Sequence, residues 1–119
     1  MGLLNNFKDR FKNAEFSVAP NKKLKTISKD FKSAFELELV FYKGKRIAED
    51  SLTLKQLNDK TSSDIKKNSD AELKLKASMN VKDVEKAFLS NYGTTVQIKR
   101  SGKLVPDEIT LGQAARGEY

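Results

Sequence analysis

Residues Leu24–Leu57 read LKTISKDFKSAFELELVFYKGKRIAEDSLTLKQL, and the pattern returns without a gap at Val81–Ala114 as VKDVEKAFLSNYGTTVQIKRSGKLVPDEITLGQA. Val81 stands 57 places after Leu24, and at that spacing the apolar positions coincide. Leu24, Ile27, Phe31 and Phe35 fall on Val81, Val84, Phe88 and Tyr92; Leu39 and Phe41 fall on Val96 and Ile98. Asp50, Thr53, Leu54 and Gln56 fall on Asp107, Thr110, Leu111 and Gln113. The match reaches back to Glu15 over Glu72, with Phe16 and Val18 over Leu73 and Leu75. Few identities survive, but the phase does, which marks an internal repeat.

Each copy carries two hydrophobic periods. Leu24, Ile27, Phe31, Ala34 and Phe35 follow the spacing of one helical face, predicting a helix from about Lys23 to Phe35 and a second over 80–92. From Glu36 to Tyr42 the period becomes two, with Leu37, Leu39 and Phe41 on one side. Lys43-Gly44-Lys45 then turns the chain into a short return strand, Arg46–Ala48, and Ser101-Gly102 does the same between strands 94–100 and 103–105. Glu15–Ala19 and residues 72–77 alternate as strands ahead of the helices, the first ended by Pro20. Thr53-Leu54-Lys55-Gln56 and Thr110-Leu111-Gly112-Gln113 each fit a capping box that opens a helical turn.

The expected architecture is α+β. Two tandem βαββ units, residues 15–57 and 72–119, form a sheet with two long helices on one face and internal pseudo-twofold symmetry. Residues 58–71 are polar and electrically neutral and read as a linker. Residues 1–14 stand outside the repeat, and Leu3, Leu4, Phe7 and Phe11 give them the stripe of a short amphipathic helix. The pattern leaves open whether the halves share one sheet or build two. Below about 70–80 residues a single core supplies little stability without a staple, so neither half is expected to stand alone.

Composition removes several classes of chemistry. The chain of 119 residues has no Cys and no His, so thiolate nucleophiles, disulfides, imidazole bases and the commonest transition-metal ligands are excluded. No Gly-rich phosphate loop or nucleophile elbow appears. Glu49-Asp50 and Asp107-Glu108 are carboxylate pairs in equivalent turns, and they read as complements to the helical turn that follows rather than as a metal or acid–base site. No cofactor, metal or catalytic residue is expected. The N-terminal apolar pair is too short for a signal peptide or membrane span, and the chain is expected to be cytoplasmic, with no integral and little peripheral membrane contact.

Net charge is +7, spread along the chain and carried mostly by Lys. Point-charge lysines solubilise well but lack the fork that favours Arg for bidentate phosphate or base recognition.

Tyr42-Lys43-Gly44-Lys45-Arg46-Ile47, with Glu49-Asp50 and then Thr53-Leu54, resembles part of the ubiquitin-like β-grasp, where a helix also leads into a strand, a Gly-Lys turn, an acidic pair and a Thr-Leu turn. The second half resembles it more faintly. The resemblance implies a binding scaffold of related shape. Only one strand precedes each helix here, where that fold has a hairpin, and the chain lacks the terminal Gly-Gly of conjugated members.

Function therefore reads as a non-catalytic protein-interaction module, an adaptor or scaffold, with an unidentified protein partner. Its candidate binding residues are Leu3, Leu4, Phe7 and Phe11 in the N-terminal helix and Val40 and Tyr42 on the sheet face turned from the helices. That face is expected to carry Ser17 and Glu38 in the first half and Lys74, Lys76, Thr95, Gln97 and Lys99 in the second. The alternative is a sequence-nonspecific nucleic-acid binder. It would use the stripe Lys22, Lys25, Lys29 and Lys32 together with Lys74, Lys76 and Lys99.

Overall fold

The computed structural model describes residues 15–60 and 72–119. The expected N-terminal helix, with Leu3, Leu4, Phe7 and Phe11, lies outside the described residues, as does most of the expected linker. The elements are β1 (Glu15–Val18), α1 (Leu24–Phe35), β2 (Glu38–Lys43), β3 (Arg46–Ile47), α2 (Leu54–Lys60), β4 (Leu73–Lys76), α3 (Val81–Tyr92), β5 (Thr95–Arg100), β6 (Lys103–Leu104) and α4 (Leu111–Arg116). The class is α+β, and all strand pairings are antiparallel.

The strands form two sheets. One is the pair β1-β4, and the other has the order β3-β2-β5-β6. Each half contributes one strand to the first sheet and a hairpin to the second, so the expected single outer face is divided. The reason lies in the partner each strand finds: β1 pairs with its own copy β4, and β2 with its own copy β5. In the first pairing Ser17 faces Lys74, and in the second Val40 faces Gln97. Both pairs are 57 places apart, the repeat offset itself, so a residue meets its own equivalent in each sheet. A local twofold axis therefore runs through both pairs, as it would in a symmetric homodimer.

The long helices share the inner face of the four-stranded sheet and also touch the two-stranded one. Leu24, Ile27, Phe31 and Phe35 of α1 and Val81, Val84, Phe88 and Tyr92 of α3 are buried, which is the stripe the spacing predicts. They meet Leu39, Phe41, Val96 and Ile98 from the sheet in one continuous core that also takes Phe16, Val18 and Leu75. Edge-to-face contacts tie the layers together. Phe16 meets Phe31 with ring centroids 5.6 Å apart, and Phe41 of the first half meets Phe88 of the second at 5.7 Å.

The helix starts are held by backbone, and in the same way twice. The Leu24 and Lys25 N–H groups donate to the Leu52 and Asp50 carbonyls at 2.8 and 3.1 Å. Val81 and Lys82 donate to Ile109 and Asp107 at 2.8 and 3.0 Å. Both capping boxes form: the Gln56 N–H donates to Thr53 Oγ1 and the Gln113 N–H to Thr110 Oγ1, each at 3.1 Å, while each glutamine side chain accepts the threonine N–H at 2.9 Å. α2 continues through Lys60, three residues into the stretch read as linker, and Asn58 is buried there.

Two outcomes follow for stability. Phe88→Ala should cost about 3–5 kcal/mol in urea unfolding, because the cavity opens where the halves meet; Leu89→Ala next to it, 46% exposed, should cost far less. Thr110→Ala should cost about 0.5–2 kcal/mol through loss of the cap.

Candidate interaction surfaces

Partners across an antiparallel ladder share a face. Tyr42 lies opposite Thr95 and Ile47, Lys99 opposite Glu38 and Leu104, and Val40 opposite Gln97. These residues make the outer face of the four-stranded sheet, with the twofold axis at its centre. Val40 and Tyr42 are half-buried among their neighbours. Ile47 and Leu104, equivalent in the repeat, stand 66% and 59% exposed at opposite margins. Tyr42 Oη donates to Gln97 Oε1 at 2.7 Å, and Glu38 Oε1 accepts the Gly102 N–H at 2.7 Å, so the middle of the face is ordered across the two halves.

Two equivalent grooves run between a helix and a strand of this sheet. The first, about 460 Å³, lies between Lys25, Ser28, Lys29 and Lys32 on α1 and Glu38, Leu39 and Val40 on β2, with Asp50 at one end. The second, about 410 Å³, takes Lys82, Glu85, Lys86 and Leu89 on α3, Thr95 and Val96 on β5, and Asp107. Ser28 Oγ donates to the Leu39 carbonyl at 2.7 Å. Glu85 stands at the matching position, and burial, then the charge of Asp107, raises its carboxyl above the ordinary 4.5. Tyr92, buried in the core, is pushed up to about 12 by burial and then by the charge of Glu72.

The lysines expected to act together are dispersed. Lys22, Lys25, Lys29 and Lys32 are exposed along α1, with Lys22 Nζ 3.7 Å from Asp30. Lys74 and Lys76 are exposed on β4, on the side of the small sheet opposite buried Leu75. Lys99 lies on the outer face of the large sheet. Both sheets turn their inner faces to one core, so Lys74 and Lys76 point away from the surface that holds Lys99. Ile47 and Leu104 were the residues that motif reading passed over. Their signal was an apolar side chain in each short return strand, directly across from Tyr42 and its equivalent Lys99.

Among the described residues no cluster of three or more acidic side chains is arranged to hold a metal ion, and no helix is long and apolar enough to cross a membrane. The acidic pairs serve the helix starts through backbone carbonyls of Asp50 and Asp107. No protein-family model, curated protein or solved structure matches this chain.

The raised Glu85 carboxyl fixes a pH dependence. A proton held more tightly in the folded state contributes stability that is fully present below the unfolded value and is lost as pH rises through the folded one. Glu85→Gln should therefore raise the urea midpoint at about pH 7 and lose that advantage by about pH 4. An equal difference at both pH values would rule out titration of Glu85 as its source.

Proposed function

We propose that this chain is a non-catalytic protein-interaction module, an adaptor or scaffold, whose partner docks on the outer face of the four-stranded sheet. The observation that carries this reading is the pair Ile47 and Leu104. Two large apolar side chains sit more than half exposed on one face, at positions related by the twofold, flanking Tyr42 and Val40. Isolated exposed apolar residues are ordinary on protein surfaces; a matched pair framing an aromatic on one sheet face has the make-up of an interface core. Tyr42, held by Gln97, presents a large area at little entropic cost. A chain without Cys that needs no disulfide suits the cytoplasm.

The exposed lysine row of α1 supports a second reading, sequence-nonspecific contact with nucleic-acid phosphates. It would rest on Lys22, Lys25, Lys29 and Lys32 alone, since Lys74, Lys76 and Lys99 lie elsewhere. Four contacts make a weak, strongly salt-dependent binder.

One comparison separates the readings. Proteins retained from a cell extract by the parent chain should be lost with the double variant Ile47→Asp, Leu104→Asp and kept with the triple variant Lys25→Glu, Lys29→Glu, Lys32→Glu. Anisotropy with labelled DNA and RNA at about 50 and 200 mM salt should show no tight binding. Steep salt-dependent binding that the lysine variant abolishes would replace the interaction reading with the second one.

A further inference from the structure

A second surface, independent of the sheet face, follows from the groove beside β2. β3 pairs with β2 only at Tyr42 and Lys43, so among the described residues Glu38–Val40 have no strand on that side. The Leu39 carbonyl accepts from Ser28, and the Phe41 carbonyl accepts the Ala48 N–H at 2.9 Å; both helix and β3 lie on the side away from β5. A strand residue directs its N–H and carbonyl to the same side. The Leu39 N–H therefore faces the groove, while Val40, opposite Gln97 on the axis, turns to β5. With its carbonyl taken by Ser28, Leu39 keeps one edge N–H beside an open groove, a donor that can anchor an extended peptide laid along the strand.

Charge selects the occupant. Lys25, Lys29 and Lys32 project along the α1 wall at successive turns, all exposed. The twin groove gives the contrast within the same molecule: Leu89 replaces Lys32 and Glu85 replaces Ser28, so its wall is weaker in positive charge and carries a carboxylate. Glu38 and Asp50 border the first groove as Glu85 and Asp107 border the second, so three lysines against two carboxylates make the first the more basic of the pair. We infer that the groove between α1 and β2 binds an extended, acidic peptide segment of a partner protein, its backbone against the Leu39 edge and its carboxylates against Lys25, Lys29 and Lys32.

The test uses the full chain and a fluorescein-labelled peptide of about ten residues alternating Val with Asp and Glu, which is the strand-forming probe this edge requires. Anisotropy should show binding that weakens with salt, and Lys25→Glu, Lys29→Glu, Lys32→Glu should weaken it about tenfold or more. Amide exchange read by NMR should slow at Leu39 on peptide addition and stay unchanged at Val40. The double variant Ile47→Asp, Leu104→Asp should bind the peptide as the parent does, which keeps this result separate from the sheet-face reading. The inference is overturned by absence of binding, by unchanged affinity in the lysine variant, or by protection at Val96 in place of Leu39. A single-stranded oligothymidine that binds the same lysines as tightly as the peptide also overturns it, and assigns the row to phosphate.

Discussion

Everything in this fold depends on strands that pair with their own copies. Ser17 against Lys74 and Val40 against Gln97 put one twofold axis through both sheets. A one-residue slip in either pairing would turn every apolar side chain of that strand to the wrong face. It would also move the axis out of line with the other sheet, so the two registers hold each other. The helices gain their contacts from the same arrangement. Phe88 belongs to the second half but packs on Phe41 of the first, and neither ring has a complete environment without the other half. Cooperative folding of the two halves follows from this shared core rather than from any covalent staple, since the chain has none to offer.

The second constraint is local and is also written twice. An isolated bridge joins Lys23 to Thr53 and another joins Asn80 to Thr110, tying each long helix to the loop that opens its short one. Lys23 and Asn80 make no side-chain cap, so the first N–H groups of α1 and α3 would go unpaired without the carbonyls at Asp50, Leu52, Asp107 and Ile109. The acidic pairs thus mark loops whose backbone is committed. The helix ends differ in a telling way: Gly93 takes the left-handed conformation after α3, while Glu36 takes it at the equivalent position after α1.

That contrast shows where sequence reading succeeds and where it stops. The repeat, both long helices, the return hairpins and both capping boxes were legible, because each rests on side-chain period or on a local motif. The sheet count was not. Alternation in Glu15–Val18 states which side chains turn inward, but it is the same whichever strand lies alongside. The length of α2 escaped because Asn58 looks like a linker residue until Leu57 and the core bury it. The candidate site was partly legible. Val40 and Tyr42 fall on the outer face as the alternation requires. Alternation is silent on which strands share a sheet, so it does not tell that Lys74 and Lys76 stand on the small sheet and Lys99 on the large one.

A duplicated frame also changes how its differences should be weighed. Core positions vary mostly within apolar types, as Leu24 and Val81 or Leu39 and Val96 do; Leu37 and Thr94, both fully buried at equivalent places, are an exception. Positions that only serve solubility can drift without pattern. The outer face and the grooves follow neither rule. Tyr42 has become the counterpart of Lys99, and Val40 of Gln97, yet Tyr42 and Gln97 now bond to each other across the axis. Ser28 and Glu85 differ in the same manner, one bonding its neighbouring strand and the other bringing a half-buried carboxyl beside Asp107. The backbone that these residues stand on keeps its helix-start and return-strand bonds in duplicate, so the frame gives no reason for them to part. The asymmetry of these two adjoining surfaces therefore lies in their side chains, over a backbone frame that the two halves share.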